Sequence, residues 1–203
     1  MSDGSAPTDQ ARLFIAAPLP GDVLDALAQA RPALTSGRER ASLPEMRWVQ
    51  RERLHLTLKF LGSVPLARIE AIDEALQETA AQTTPIALRL RDCGVFGGRR
   101  PRVVWAGLAG ELERLADCAA RLDERLAGRD FPPERRPFRP HLTIARIPER
   151  APNDERLALR AAVEGLPAPA PAPWRVDELH LIRSHLGADA HYETLASYRL
   201  ART

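Results

Sequence analysis

Residues 51–62 read RERLHLTLKFLG and residues 136–147 read RPFRPHLTIARI, so that the tripeptide His-Leu-Thr occurs twice, beginning at His55 and at His141. In both stretches apolar and polar residues alternate, which is typical of a strand with one buried face. The period of two puts each histidine on the same face as the threonine two residues later, Thr57 or Thr143. The sequence therefore predicts two similar strands, each presenting a histidine and a threonine away from the core.

Further strands and helices are predicted on both sides of the motifs, with a loop at residues 35–44 and an extended proline-alanine spacer at 165–173. The first motif strand is expected to close at Gly62, and residues 93–98 are expected to turn the chain. Strands that form hairpin-like pairs between helices favour an α+β fold with mostly antiparallel sheets. The motifs lie 86 residues apart, which suits two related lobes. Strands are predicted at 12–17, 47–49, 54–61, 85–92, 102–108, 138–147, 174–182 and 192–200, and helices at 23–28, 65–81, 111–126 and 153–163.

Composition excludes several classes of protein. The formal net charge of the 203 residues is +2, from 29 basic and 27 acidic residues, which is too balanced for a protein that coats nucleic acid. Lys59 is the single lysine, so an arginine is weak evidence of function by itself. Cys93 and Cys118 lack metal-site or disulfide spacing and are expected to be reduced. The sequence has no signal segment and no long apolar run, so we expect a cytoplasmic protein without membrane contact. We also expect disorder over residues 1–10 and one bilobal domain over residues 11–203.

The paired histidines suggest acid and base catalysis. Imidazole titrates near pH 6.5, so two opposed histidines can deliver one proton and remove another during in-line phosphodiester chemistry. A threonine on the same strand face can donate a hydroxyl hydrogen bond to a phosphate oxygen. A single strand histidine is more often structural, but the repetition of the pair favours a functional site. A metal site is the main chemical rival, although neither strand carries a carboxylate or thiol at ligand spacing. No G-x-S-x-G turn supports a serine hydrolase.

The chain resembles the two-histidine phosphoesterases, and among them the bacterial RNA 2',3'-cyclic phosphodiesterases, also called 2'-5' RNA ligase-like proteins. The resemblance covers RLFIAAPLP, LHLTLKFLG, FGGRRPRVVWAGL, RPFRPHLTIARI and DELHLIRSHL. It implies a bilobal α+β fold with pseudo-symmetric halves facing an active-site cleft. It also implies that His55 is the proton donor to the departing ribose 3'-oxygen, that His141 is the base that activates water, and that Thr57 and Thr143 hold the phosphate. The product is then a 2'-phosphomonoester, formed without metal or other cofactor, and weak reversible 2'-5' ligase activity is a secondary expectation.

Phe60 and Arg146 each follow a motif histidine by five residues. The family pattern suggests that Phe60 stacks on a base and that Arg146 binds phosphate. Five further residues are left without assigned roles: Arg102, His180, Ser184, His185 and His191. The expected partners are RNA with 2',3'-cyclic phosphate ends or cyclic nucleotides, and a monomer is the simplest assembly. The alternative function is a non-catalytic binder of RNA or nucleotide terminal phosphates.

Overall fold

The computed structural model of the chain describes residues 9–35, 43–166, 168–187 and 190–202. Short 3₁₀ turns at Arg51–Arg53 and Leu66–Arg68 precede the first motif strand and the second helix. Over the described residues the chain forms, in order, β1 (Gln10–Ala17), α1 (Gly21–Thr35), β2 (Arg47–Trp48), β3 (Leu56–Pro65), α2 (Ile69–Ala81), β4 (Ile86–Phe96), β5 (Val103–Gly110), α3 (Leu112–Ala127), β6 (His141–Arg146), α4 (Asn153–Glu164), β7 (Trp174–Val176), β8 (Glu178–Ser184) and β9 (Tyr192–Arg199).

Two antiparallel sheets share the two motifs between them. The first sheet has the strand order β3-β1-β8-β9 and carries the first motif at its edge. The second sheet has the order β2-β6-β5-β4-β7 and carries the second motif on β6. The chain passes from the second sheet back to the first at Asp177, between β7 and β8. The predicted α+β fold, with one motif in each half, is confirmed.

The helices cover the faces of the sheets that turn away from the motif side chains. On α3 the buried positions recur every three or four residues, as expected of a helix with one apolar face: Leu115, Cys118, Ala119, Leu122 and Leu126. This helix contacts α2 as well as strands of both sheets, β3 and β4. The buried side chains of both sheets form one main cluster with the helices, so the two halves share a core. No described helix is long and apolar enough to span a membrane.

The first motif strand is longer than predicted and begins later. It starts at Leu56, one residue after His55, and continues through Gly62 to Pro65. Gly62 has φ +73° and pairs with Leu13, so the glycine permits a local irregularity within the ladder instead of ending the strand. A 3₁₀ turn then precedes α2, which begins at Ile69 and not at Pro65.

The predicted turn over residues 93–98 is also wrong in its first half. Strand β4 continues to Phe96, and the chain turns only at Gly97 and Gly98, which have φ +119° and +54°. Gly94 is needed inside the strand because a Cβ there would lie 2.3 Å from the indole of Trp105 on the neighbouring strand. The glycine therefore marks a close side-chain approach and not a turn.

The strand predicted at 174–182 is two strands in different sheets. β7 pairs with β4, whereas β8 pairs with β1 and β9. At the chain start, β1 begins at Gln10, within the segment expected to be disordered, and residues 1–8 lie outside the described part of the chain. Most of the loop predicted at 35–44 also lies outside it, at residues 36–42.

Candidate active site

Both motif histidines are fixed by the same backbone contact. The Nδ1–H of His55 donates to the carbonyl oxygen of Arg53 at 2.8 Å, and the Nδ1–H of His141 donates to that of Arg139 at 2.7 Å. In each case the acceptor lies two residues before the histidine. A carbonyl oxygen can only accept, so Nδ1 carries the proton and Nε2 of each ring is left for chemistry.

Aromatic side chains pack against the two imidazole rings. The His55 ring lies 4.8 Å from the ring of Phe14 and 5.5 Å from that of Tyr192. The His141 ring meets Phe96 edge-on, at 4.8 Å and 89°, and Phe96 stacks on Trp105 at 5.2 Å. These contacts restrict rotation of each imidazole, so that Nε2 keeps one direction.

The two threonines occupy equivalent positions in their sheets. Thr57 pairs with Ala16 on β1, and Thr143 pairs with Trp105 on β5. Both threonines are half-buried, whereas the leucine before each is completely buried. A separation of two strand residues corresponds to roughly 6–7 Å, within which one phosphate group can contact both the histidine and the threonine.

A bulge follows each threonine and changes which residues share its face. Leu58 has no partner on β1, because Ala16 pairs with Thr57 and Ile15 pairs with Lys59. Ile144 likewise has no partner on β5. Each bulge residue stands three positions after its motif histidine. The extra residue reverses the alternation, since two residues of one strand then oppose one residue of the other.

As a result, Phe60 and Arg146 lie on the same sheet faces as Thr57 and Thr143. Phe60 pairs with Phe14, their rings are 6.0 Å apart, and Phe60 is 62% exposed. Arg146 is exposed and pairs with Val103 on one side and Arg47 on the other. Both residues therefore have the access to a ligand that their predicted roles require.

The charges around His55 link the two sheets. Burial is the largest effect and lowers the pKa of His55, while the hydrogen bond to the Arg53 carbonyl opposes this shift. The positive charges of Arg146, Arg53 and His141 lower the pKa further. Arg146 and His141 belong to the second sheet and β3 contacts β6, so the two motif histidines lie near each other where the sheets meet. These effects together favour the neutral form of His55 at pH 7.

Other residues singled out in the sequence have partners of their own. Arg102 lies 4.0 Å from Glu149, and His180 Nε2 lies 2.9 Å from Glu178 Oε1. His185 and His191 stack on each other with ring centroids 4.3 Å apart, near Ser184 at the end of β8. None of the contacts given above is with a motif histidine.

Four aromatic residues of the site are absent from the sequence-based assignment: Phe14, Phe96, Trp105 and Tyr192. Each was visible only as an apolar residue in a predicted strand or turn. Nothing in a single sequence indicates that strands so far apart will place their aromatic side chains beside the histidines. The available signal for Phe96 is its position before Gly97-Gly98, which suits the end of a strand.

Comparison with known proteins gives a consistent result. Residues 22–188 match the 2'-5' RNA ligase superfamily. An RNA 2',3'-cyclic phosphodiesterase of Geobacillus stearothermophilus is 36% identical over 188 residues, or 92% of this chain, which spans 56% of that protein's length. One of Methanothermobacter thermautotrophicus is 29% identical, covering 93% of this chain and 98% of the relative. Among solved structures, E. coli LigT complexed with 3'-AMP has a TM-score of 0.73 and 25% identity, covering 94% of this chain and 98% of LigT.

Proposed function

The chain belongs to the 2'-5' RNA ligase superfamily, and from this membership and the paired histidines we propose that it is an RNA 2',3'-cyclic phosphodiesterase. It hydrolyses the cyclic phosphate at an RNA end to a 2'-phosphomonoester. The fold, the relatives with this activity that cover nearly the whole chain, and the chemistry available in the cleft all support this activity.

In the proposed reaction the two histidines act at opposite sides of the phosphorus. His141 Nε2 removes a proton from water, whose oxygen forms a bond to phosphorus. The bond from phosphorus to the ribose 3'-oxygen breaks, and the proton on His55 Nε2 passes to that oxygen. One water is consumed, and the two histidines exchange their protonation states. Proton transfer through solvent then restores them.

Substrate binding prepares His55 for its role as the acid. In the protein itself, burial and the charges of Arg146, Arg53 and His141 favour the neutral imidazole of His55. A bound cyclic phosphate carries a negative charge, which counteracts these positive charges and favours protonation of His55. The acid is therefore charged when the substrate is present.

The remaining site residues position the substrate in this proposal. The hydroxyls of Thr57 and Thr143 donate to the two non-bridging phosphate oxygens, one from each sheet. Arg146 binds the same phosphate through its guanidinium, and Phe60 stacks on the terminal base. The exposed ring of Phe60, beside Phe14, has room for such a contact.

The observation that carries the proposal is the duplicated imidazole contact. Two histidines on different sheets are each held through Nδ1 by the carbonyl two residues earlier, which leaves both Nε2 atoms for chemistry. A binder of phosphate needs positive charge, which arginine supplies more reliably than histidine. A reaction that donates one proton and accepts another requires two such rings with the same tautomer.

The test is phosphorus NMR of a 2',3'-cyclic nucleotide incubated with the protein in excess EDTA. We expect conversion to a 2'-phosphate, and a loss of turnover of roughly 10²–10⁴-fold in His55→Ala and in His141→Ala. His180→Ala is the comparison variant: it removes an imidazole on the same sheet face as Thr57 that is paired with Glu178, and its loss of turnover should be much smaller than that of the motif variants. Wild-type turnover in both motif variants would contradict the proposal. Binding without conversion would favour the non-catalytic alternative.

The proposal extends to the oligomeric state, the cellular compartment and a side activity of the enzyme. Both histidines come from one chain, so we propose a monomer, with residues 11–203 as one catalytic domain. The thiols of Cys93 and Cys118 are both free, which suits a reducing compartment such as the cytoplasm. Weak 2'-5' ligation is the same chemistry in reverse, with a ribose hydroxyl in place of water.

A further inference from the structure

Two arginines lie opposite each other at the edge of the second sheet. Arg47 on β2 pairs directly with Arg146 on β6, and both are exposed. The next pair, Trp48 and Ala145, contains the completely buried Ala145, so it points to the core. Because neighbouring residues of a strand face opposite ways, the two arginines share the face that carries Thr143. Arg47 is therefore on the cleft side of the sheet.

This arrangement is electrostatically unfavourable in the free protein. Directly opposed strand residues lie about 5 Å apart, and like charges in such a pair are destabilising. The acidic residues nearest in sequence do not relieve it: Glu45 lies 3.8 Å from Arg150, and Glu149 lies 4.0 Å from Arg102. In the described part of the chain, no carboxylate forms an ion pair with Arg47 or Arg146. A bound anion would turn this repulsion into attraction.

Positive charge is concentrated around this edge of the cleft. The two segments 47–53 and 134–150 contain eight arginines and three glutamates, although the whole chain has 29 basic and 27 acidic residues. Outside these segments the chain thus has more acidic than basic residues. These segments include the motif strand β6 and the residues that precede β3. An extended anion, and not only a single phosphate group, matches such a distribution.

We propose that Arg47, next to the Arg146 that holds the cyclic phosphate, binds the phosphodiester that precedes the terminal nucleotide, so that the enzyme prefers RNA ends of two or more nucleotides over cyclic mononucleotides. This inference rests on the proposed function. β2 is the edge strand, about 4.8 Å outside β6, so Arg47 lies farther from the threonines than Arg146 does. An RNA strand that leaves the cleft across this edge passes over Arg47, whose planar guanidinium suits a phosphodiester.

The test compares a uridine 2',3'-cyclic phosphate with a dinucleotide and a hexanucleotide that end in the same group. For the wild-type protein we expect a higher kcat/KM on the two longer substrates. Arg47→Gln should lower the ratio of dinucleotide to mononucleotide kcat/KM about tenfold, as expected for the loss of one charged hydrogen bond. It should also weaken the salt dependence of hexanucleotide binding: the slope of the logarithm of the binding constant against the logarithm of the salt concentration should become smaller by about 0.7.

Arg102→Gln is the matched control. It removes the same charge from the same half of the molecule, but Arg102 lines a small pocket with Arg100, Glu149 and Arg156 of α4 and lies 4.0 Å from Glu149. This variant should keep the wild-type substrate ratio within about twofold. An equal fall of the ratio in both variants would overturn the specific role of Arg47, because the effect would then be one of net charge.

A second readout separates binding from a structural role. If the arginine pair is repulsive in the free protein, Arg47→Gln should unfold at the same temperature as the wild type or higher. A lower unfolding temperature would overturn the inference, as would a wild-type enzyme without preference for the longer substrates. Turnover of none of the substrates would refute the proposed function itself, and this inference with it.

Discussion

Replacing Lys59 with Met tests whether the bulge in the first motif strand orients its side chains as described. In a strictly alternating strand, Lys59 would share a face with His55 and Thr57 and would be a natural phosphate ligand. The bulge at Leu58 instead turns Lys59 inward, where it is buried, forms an ion pair with Asp123 of α3 and donates to the carbonyl of Pro132 at 2.9 Å. The substitution should therefore affect stability and leave catalysis nearly unchanged.

The size of the effect follows from the surroundings of the pair. Removing one partner of a buried ion pair costs about 3–5 kcal/mol, because the other charge loses its compensation. Asp123 keeps some exposure, at 23%, and still accepts hydrogen bonds from the Glu134 backbone N–H at 3.1 and 3.2 Å. We therefore expect the lower end, about 3 kcal/mol. For a chain of this size the unfolding temperature should fall by roughly 6–12 °C.

The assay is thermal unfolding followed by circular dichroism, with turnover of a cyclic mononucleotide measured well below the transition. Lys59→Met should lose stability and keep turnover within about threefold, and the double variant with Asp123→Asn should recover part of the stability. Normal stability combined with lost turnover would refute the bulge argument, because Lys59 would then face the cleft.

Two further predictions concern the cleft itself. Because burial and the charges of Arg146, Arg53 and His141 lower the pKa of His55, the decline of kcat/KM that reports loss of the acid's proton should lie below pH 6.5. Arg146→Gln removes one of those charges and should move this decline of kcat/KM to higher pH. A pH profile that the substitution leaves unchanged would contradict the electrostatic link between the sheets. Phe60→Ala should weaken binding of the nucleotide by about 1–3 kcal/mol, seen as a raised KM. Since Phe60 is 62% exposed, the unfolding free energy should change by less than about 0.5 kcal/mol, and a larger loss would indicate a core residue instead.

Local patterns in the sequence predicted most elements but not their pairing. The helices over residues 69–81, 112–127 and 153–164 follow directly from apolar spacing, because each buries one face. The segment 174–182 looked like one strand, since alternation reports which face is buried and not which sheet supplies the partner. Its division at Asp177 depends on contacts of β7 with β4 and of β8 with β1, which are distant in sequence.

The site was predictable where it repeats and not where it is assembled from single residues. His55, Thr57, His141 and Thr143 were visible because the same tripeptide occurs twice. Phe14 and Tyr192 reach His55 only through the packing of β1 and β9, and Arg47 reaches Arg146 only through the pairing of β2 with β6. Such residues carry no local signal, because their role arises from neighbours far away in the chain.

The matched bulges explain how one short motif supplies both chemistry and substrate binding. Strict alternation places the histidine and the threonine on the cleft face but sends the fifth residue after the histidine to the core. An unpaired residue at Leu58 and at Ile144 reverses the last part of each strand, so Phe60 and Arg146 return to the cleft. The same reversal lets Lys59 anchor the first motif strand to α3. If the same residues paired in strict alternation, without a bulge, Phe60 and Arg146 would turn to the core while the histidine and the threonine kept their places, and in β3 a lysine would point at the substrate.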